Sequence, residues 1–499
     1  MRPSLLALVA LLCALPSCFG NGRREQGLQV RPGAAVLVVQ APLEAQLSGV
    51  AREGSLIFPT IAAALKAAPD GALIELGAGT YAEQLLITRP VVLIGRGPQR
   101  TRILGDASGS APTIVIRGTS QVELRGLSVE GGPVGVSITS GRGHLLENVS
   151  LRNFSQAGLV AKGAQLLVSG SEILEVAHGL TGIGLSIDGG SLEARTLFLR
   201  AAGRRAIEVK GARASLSEVD VAGSSLSALQ AVDGAEVTVR DSHFEHLGGA
   251  ALYAGGASLS LLDCTVRSAE FAVIGFRGAQ LEIRRSELRD QHVAAISLVR
   301  SAGTIAGCLI VHGGTEAAVT VTSGSGPLFL TDNRILEPGP MGVHVTQSTL
   351  EARGNTITGA RLDMGRDLGD AIYAVDSEVN LDGNELSFNA GSGVALVRSQ
   401  GQLGRNDLVG NGRSGMLLLD RSRVTASRNL FQRNLAAGVE VTEGSRVTLR
   451  GNHFGLNPLF DVDLPCGQDS SADLRDDNTF EARLRARERA CPSAATDAP

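Results

Sequence analysis

Fifteen times between residues 112 and 441 the chain repeats one short phrase: a small or turn residue, an apolar residue, any residue, then usually a second apolar one. The phrase opens at Pro112, Gly135, Gly158, Gly184, Ala206, Ala228, Ala251, Ala272, Ala295, Ala318, Gly342, Ala371, Gly393, Gly415 and Gly438, at intervals of 21 to 24 residues except for one of 26 and one of 29. Apolar residues two apart share one face of a strand. A fixed period in the twenties marks stacked units that bury their faces against their neighbours. Ile296 and Val343 are therefore expected to point into the stack and Thr320 out of it. A second series runs through each unit: Asn333, Asn355, Asn384, Asn406, Asn429 and Asn452, with Asn148, Ser171, Ser242, Cys264, Ser286 and Cys308 at the equivalent places upstream. Small polar residues at one corner of every unit predict a ladder of side chains bonding backbone groups that would otherwise be buried unpaired. Two or three short strands per unit, Gly-rich turns and an apolar period of two predict an all-β fold: a single-stranded parallel β-helix of fifteen or more coils. The spacing of leucine-rich repeats is missing, and helical repeats would need an apolar period of about 3.6.

The segment before the coils, residues 59–94, reads PTIAAALKAAPDGALIELGAGTYAEQLLITRPVVLI. Thr60 is placed to cap a short helix whose face is Ile61, Ala64, Leu65 and Ala68, and Pro69 ends it. Strand patterns follow at 72–76 and 91–94, separated by the turn Gly77-Ala78-Gly79-Thr80-Tyr81. A solenoid needs an end cap over its first apolar coil, and this helix is placed to supply one. With these residues the chain resembles the pectin lyase-like superfamily of right-handed β-helices over roughly 57–455. The opening is similar to that of pectin methylesterases and of periplasmic β-helix proteins linked to maturation of the nitrous-oxide-reductase copper site. The resemblance implies a right-handed coil and says little about activity, because such scaffolds carry unrelated functions.

The 499 residues include 63 Gly against 17 Pro, which suits many tight turns, and the unbroken repeat argues for one elongated domain. The net charge is −4 and no basic stripe with interleaved aromatics occurs, which argues against nucleic acid as a partner. Arg2 precedes an apolar run from Leu5 to Leu15 that is too short to span a bilayer and reads as a signal peptide. Leu15-Pro16-Ser17-Cys18 resembles a bacterial lipobox, with Cys18 as the lipidated first residue. Pro16 departs from that pattern, and ordinary cleavage near Gly20 is the alternative. The expected organisation is a signal peptide over 1–18, a tether over 19–33, an N-terminal cap with the first coils over 34–111, the β-helix over 112–455 and a C-terminal cap over 456–499. Its expected location is the bacterial cell envelope, anchored to the outer membrane or periplasmic or extracellular. Cys264 and Cys308, two coils apart, are too distant for a disulfide, whereas Cys466 and Cys491 are expected to pair in the oxidising compartment. The Asp-rich tail (Asp461, Asp463, Asp469, Asp473, Asp476, Asp477) lacks the spacing of a Ca²⁺ loop and is expected to be a solvated cap, with a charged helix pattern over 481–490.

Catalytic motifs are sparse. The Asn-Thr-Asp, Asp-pair, Gly-His-Gly and Arg-Ile-Lys elements of polygalacturonases are missing apart from Ala177-His178-Gly179. The Asp-Phe-x-x-Gly of pectin methylesterases and the Asp-Pro-His-Asp of alginate epimerases are missing too. His243 and His246, the closest His pair, would lie on opposite faces of a strand, and no metal site is expected. Trp is absent and Tyr occurs three times, a poor supply of stacking surfaces for sugars. The best candidate is the 29-residue interval with its insertion over 361–370. Asp363, Asp367, Asp370 and Tyr373 are candidate catalytic residues, and His344, Arg361 and Arg366 candidate binding residues. Outward His and Tyr beside acids and arginines are what a saccharide cleft requires: carboxylates for proton transfer, Arg for a uronate. The competing and favoured reading has the insertion simply covering outward Val375, Val397, Leu417 and Leu419. The function expected is a lipid-anchored protein that binds or scaffolds polysaccharide, with no cofactor. A polysaccharide lyase, hydrolase or epimerase at 361–373 is the alternative, and a lyase would imply Ca²⁺. A metal-maturation accessory protein is a third class, without a visible Cys/His/Met cluster.

Overall fold

The computed structural model describes residues 35–40, 56–177, 182–311, 314–324, 326–363, 365–464 and 469–481, together with the backbone of 486–488. Cys18, His178, Cys466 and Cys491, and the segments expected to be signal peptide and tether, lie outside the described residues. From residue 35 onward the chain winds into a parallel β-solenoid in which each coil lays down three strands, such as Val394–Val397, Gln400–Gly404 and Asp407–Val409. Every strand pairs in parallel with its equivalent one coil away, building three ladders. The phrase ladder runs from Leu85–Ile87 to Ala486–Glu488 in eighteen strands, a stack of about 80 Å at the usual strand spacing.

The phrase sets the core. Its two apolar positions point inward and are fully buried, as at Ile296, Leu298, Val343 and Val345, whereas Thr320 is only partly covered. The opener must be small because it turns the corner against the next coil's backbone. A Cβ on Gly393 would stand 2.7 Å from the Gly415 carbonyl oxygen, and one on Gly415 equally close to that of Gly438. Register moves the first opener by one place: Val136 lies beside Ile114, so Thr113 rather than Pro112 is the partner of Gly135.

Three ladders of polar side chains hold the corners. Asn406 is typical. Its Nδ2 donates to the Leu381 carbonyl at 3.1 Å and to Asn429 Oδ1 at 3.0 Å, and its backbone N–H donates to the same Asn429 oxygen at 2.8 Å. The series expected from Asn333 to Asn452 forms this ladder and continues to Asn478. Asn148 is a correction: it sits one place early with φ of 53°, and Val149 occupies the rung, its N–H donating to Ser171 Oγ. Cys264 and Cys308 fill rungs as free, buried thiols, and burial pushes the Cys264 thiol up to about 11. A second Asn ladder, Asn389, Asn411, Asn434 and Asn457, and a Ser ladder, Ser348, Ser377, Ser399, Ser422 and Ser445, line the other two corners.

At the N-terminal end, Ile61–Ala67 forms the expected helix, with Thr60 Oγ1 accepting from the Ala63 N–H and with Ile61 and Ala64 buried. Glu83 completes the cap: its two carboxylate oxygens accept from the N–H groups of Ile61 and Ala62, both at 2.9 Å. Tyr81 donates to the Gly77 carbonyl at 3.0 Å, so the Gly-Thr-Tyr-Ala-Glu stretch ties helix to coil. At the other end the coils do not stop at 455. Phe460–Leu464, Ser471–Leu474, Thr479–Phe480 and Ala486–Glu488 each add a strand to the stack. The charged pattern after Glu481 thus yields a strand at 486–488, and Asp461 and Asp463 are buried on the phrase strand Phe460–Leu464 rather than part of a solvated cap. Burial of Phe431 and Phe454, with the half-buried Phe480 completing a stack at 5.0 Å spacings, outweighs the local polarity there.

Candidate functional site

The insertion over 361–370 closes on itself and then reaches out along the stack. Asp363 and Leu368 form an antiparallel bridge, and Asp363 Oδ1 accepts from the Gly365 N–H at 3.0 Å. Arg366 then pairs with Asp363 at 2.8 Å and with Glu316 at 3.1 Å, and donates to the Thr315 carbonyl at 3.3 Å. On the other side Arg413 pairs with Asp367 at 3.4 Å and stands 3.8 Å from Glu440. Glu316 precedes the phrase strand two coils before the insertion, and Arg413 the one two coils after it. The insertion is therefore an arch pinned at both ends across four coil spacings, about 19 Å.

Beside it the outward column of the phrase ladder presents His344 and Tyr373 on adjacent rungs, with ring centroids 5.6 Å apart and planes tilted by 55°. His344 Nε2 lies 3.0 Å from Thr346 Oγ1, and burial lowers its pKa, so the ring is neutral at pH 7. Asp370 departs from expectation. It opens the phrase strand and is only 5 % exposed, with its carboxylate accepting from the Ser392 N–H at 2.6 Å. Burial raises its pKa to about 6, against weaker opposing pulls from the Ser392 N–H and then from Arg413. The Tyr373 hydroxyl is also pushed up, by burial and then by the Asp370 charge.

The structure thus brings together His344 with Tyr373, Asp363 with Arg366, and Asp370 with the Arg413 field. It does not gather Asp363, Asp367 and Asp370 into one carboxylate cluster, since the first two are occupied in separate ion pairs. Arg366 is likewise paired: its guanidinium pins the arch. Leu417, outward by register, is buried as the covering reading requires, but Val375, Val397 and Leu419, on the neighbouring outward column, are only half-buried. Glu316, Arg413 and Glu440 were not singled out from sequence. Glu316 and Arg413 share one position, two residues before a phrase opener (Ala318 and Gly415), and that shared offset is the signal that could have found them. His243 and His246 also depart from expectation: an αL residue at the strand end turns both rings onto Glu245, at 3.2 and 3.7 Å. Among the described residues no group of three or more His, Cys, Asp or Glu is arranged to hold a metal ion, and no helix is long and apolar enough to cross a membrane.

Three parallel ladders, an inward apolar phrase and stacked polar corners define a parallel β-helix. The chain belongs to the right-handed β-helix family, whose model matches residues 205–359 and 321–472, together more than half of the sequence. Comparison with curated protein sequences finds no significant match. Solved structures similar to this chain include an alginate lyase from Paenibacillus sp. str. FPU-7 (12 % identity, 50 % of this chain and 91 % of that one, TM-score 0.34). Others are the pectate lyase Pel9A (14 %, 64 % and 80 %, 0.38) and the pectin methylesterase PemA from Erwinia chrysanthemi (14 %, 54 % and 89 %, 0.26). These superpositions are loose, and the fold assignment rests on the family match and the strand register.

Proposed function

We propose that this is an exported, lipid-anchored β-helix protein that binds envelope or extracellular polysaccharide along the phrase face, against the His344–Tyr373 wall and the arch. The observation that carries this reading is the arch itself. Its ends are fixed by ion pairs two coils away on either side, so the wall beside it is preformed and loses little conformational freedom on binding. Aromatic rings offer the apolar faces of sugars a stacking surface. Export and anchoring rest on the N-terminal pattern. Mass spectrometry of the mature N-terminus tests them: a diacylated Cys18 is expected, and an unmodified chain starting at Asn21 contradicts them.

A second reading, that the same face cleaves or epimerises its ligand, is favoured by Asp370. A carboxyl group held near 6 beside a tyrosine suits proton transfer near neutral pH. Uronate and neutral polysaccharides incubated with the full chain separate the two readings. Binding with no rise at 235 nm and no new reducing ends is the expected result. Turnover that disappears in Asp370→Asn would establish the enzyme instead.

A further inference from the structure

A second groove lies on a different face. It occupies about 750 Å³ against the outer side of the second ladder, over six consecutive coils from Gly143 to Ser260, a length of about 24 Å. Register makes its floor a single column, Leu167, Glu193, Ser215, Thr238 and Ser260, each beside the next. A groove of that length, with one side chain per coil, is shaped for an extended polymer rather than a compact ligand.

Its chemistry selects the polymer. The hydroxyls of Ser191, Ser215, Thr238 and Ser258 have no hydrogen-bond partner among the described residues and are free to donate or accept. The charged groups, by contrast, neutralise one another. Arg213 pairs with Glu236 at 2.8 Å, and Glu193 is bonded to Arg195. His144, at one end, is held neutral at pH 7 by burial. An anionic chain would have to break the Arg213–Glu236 pair and approach two carboxylates. An uncharged chain rich in hydroxyls loses nothing electrostatically and meets a hydroxyl or amide side chain in each coil from Gln165 to Ser260.

The same column continues past Phe329 into a further groove of about 370 Å³ floored by Asn380, Gln402, Thr425 and Thr448. This repeats the uncharged amide and hydroxyl chemistry farther along the stack. We infer that the groove over residues 143–260 is a binding site for an extended uncharged polysaccharide, separate from the arch and independent of it.

The test uses the full-length protein in affinity electrophoresis against dextran, laminarin and arabinoxylan as uncharged probes, with polygalacturonate and alginate as anionic ones. The account expects retardation by at least one uncharged polymer. That retardation should weaken at least tenfold in Ser215→Trp and Thr238→Trp, which fill the groove from an outward position, and survive in Thr238→Ser. Melting temperatures within a few degrees of wild type would show that the Trp variants fold. Arg366→Ala, which frees the arch, should leave the effect unchanged. Absence of retardation by every uncharged polymer, or retardation unaffected by both Trp variants, would overturn the inference. Anionic binding lost in Arg366→Ala, together with no retardation of wild type by any uncharged polymer, would leave the proposal for the arch standing while this one fails.

Discussion

The coils before and after residue 333 solve one problem by different means. Downstream, the first Asn ladder fills its corner in every coil from Asn333 to Asn478 with a side chain that serves its neighbours as well as its own coil. Asn406 donates twice from its amide group and receives from the Asn384 backbone and side chain. Upstream the same rung holds Ser171, Ser242, Cys264 and Ser286, and a serine such as Ser242 accepts one bond from the Val219 N–H of the preceding coil and donates its proton to a carbonyl of its own coil, that of Arg240. The upstream coils compensate with length: Ala157–Val176 and Ile183–Ala202 run as continuous strands through two corners. Polar ladders therefore hold the half from which the arch springs, and apolar stacking with extended backbone pairing holds the half that carries the groove over 143–260.

The largest effect should come from attacking what both halves share. Val343→Asp places an unpaired charge in the stack and should cost several kcal/mol, on the order of the penalty for a buried ion left without a partner. Thr320→Asp, on the outward column, should change the melting temperature little. Equal losses in thermal denaturation would mean that the inward and outward faces are misassigned.

Next in size, Asn406→Ala strips partners from the Leu381 carbonyl and the Asn384 N–H, both buried. At about 1–3 kcal/mol for each unsatisfied group, urea unfolding should show a loss of several kcal/mol. Ser242→Ala removes one such partner, from the Val219 N–H, and should cost about a third to a half as much. Equal costs would erase the distinction between the two halves.

Asp370→Asn should stabilise the protein, but only in a defined pH window. Its folded pKa of about 6 lies above the ordinary 3.8, so the stability contributed by the protonated group is complete below about pH 4 and is lost as pH rises through 6. The variant should therefore match wild type at pH 4 and exceed it at pH 8, by at most about 3 kcal/mol at 1.36 kcal/mol per pKa unit. A gain that is the same at both pH values would show that Asp370 does not titrate as its burial implies. Smallest of all, Arg366→Ala breaks partly exposed ion pairs and should cost under about 1 kcal/mol.

The distinction between the halves also explains what could be read from sequence. The phrase and the first Asn ladder were legible because each returns at the coil period with one residue type in one place. The second Asn ladder was equally available, five residues after the first (Asn384 and Asn389, Asn406 and Asn411, Asn429 and Asn434), but its period was masked by the first. The coils beyond 455 were hidden because Asp461 and Asp463 look solvent-seeking, whereas a rung supplies Asp461 with the Asn457 amide. The arch was visible as an insertion and its anchors were not. Glu316 lies 50 residues from Arg366, and the path of the loop between them follows from ion pairs that no periodicity encodes. For the same reason the part Arg366 plays as a tie between the arch and Glu316 was not visible in the sequence.

The central claim, that the phrase face beside the arch binds polysaccharide, is tested most directly by the affinity of Tyr373→Ala for polygalacturonate and alginate, measured by calorimetry alongside wild type. Tyr373 is outward and half-buried, so the fold should persist, with a melting temperature within a few degrees of wild type. The account predicts binding by wild type and at least a tenfold weaker association in the variant. Wild-type affinity retained in a folded Tyr373→Ala protein, or no binding by wild type at all, would contradict it.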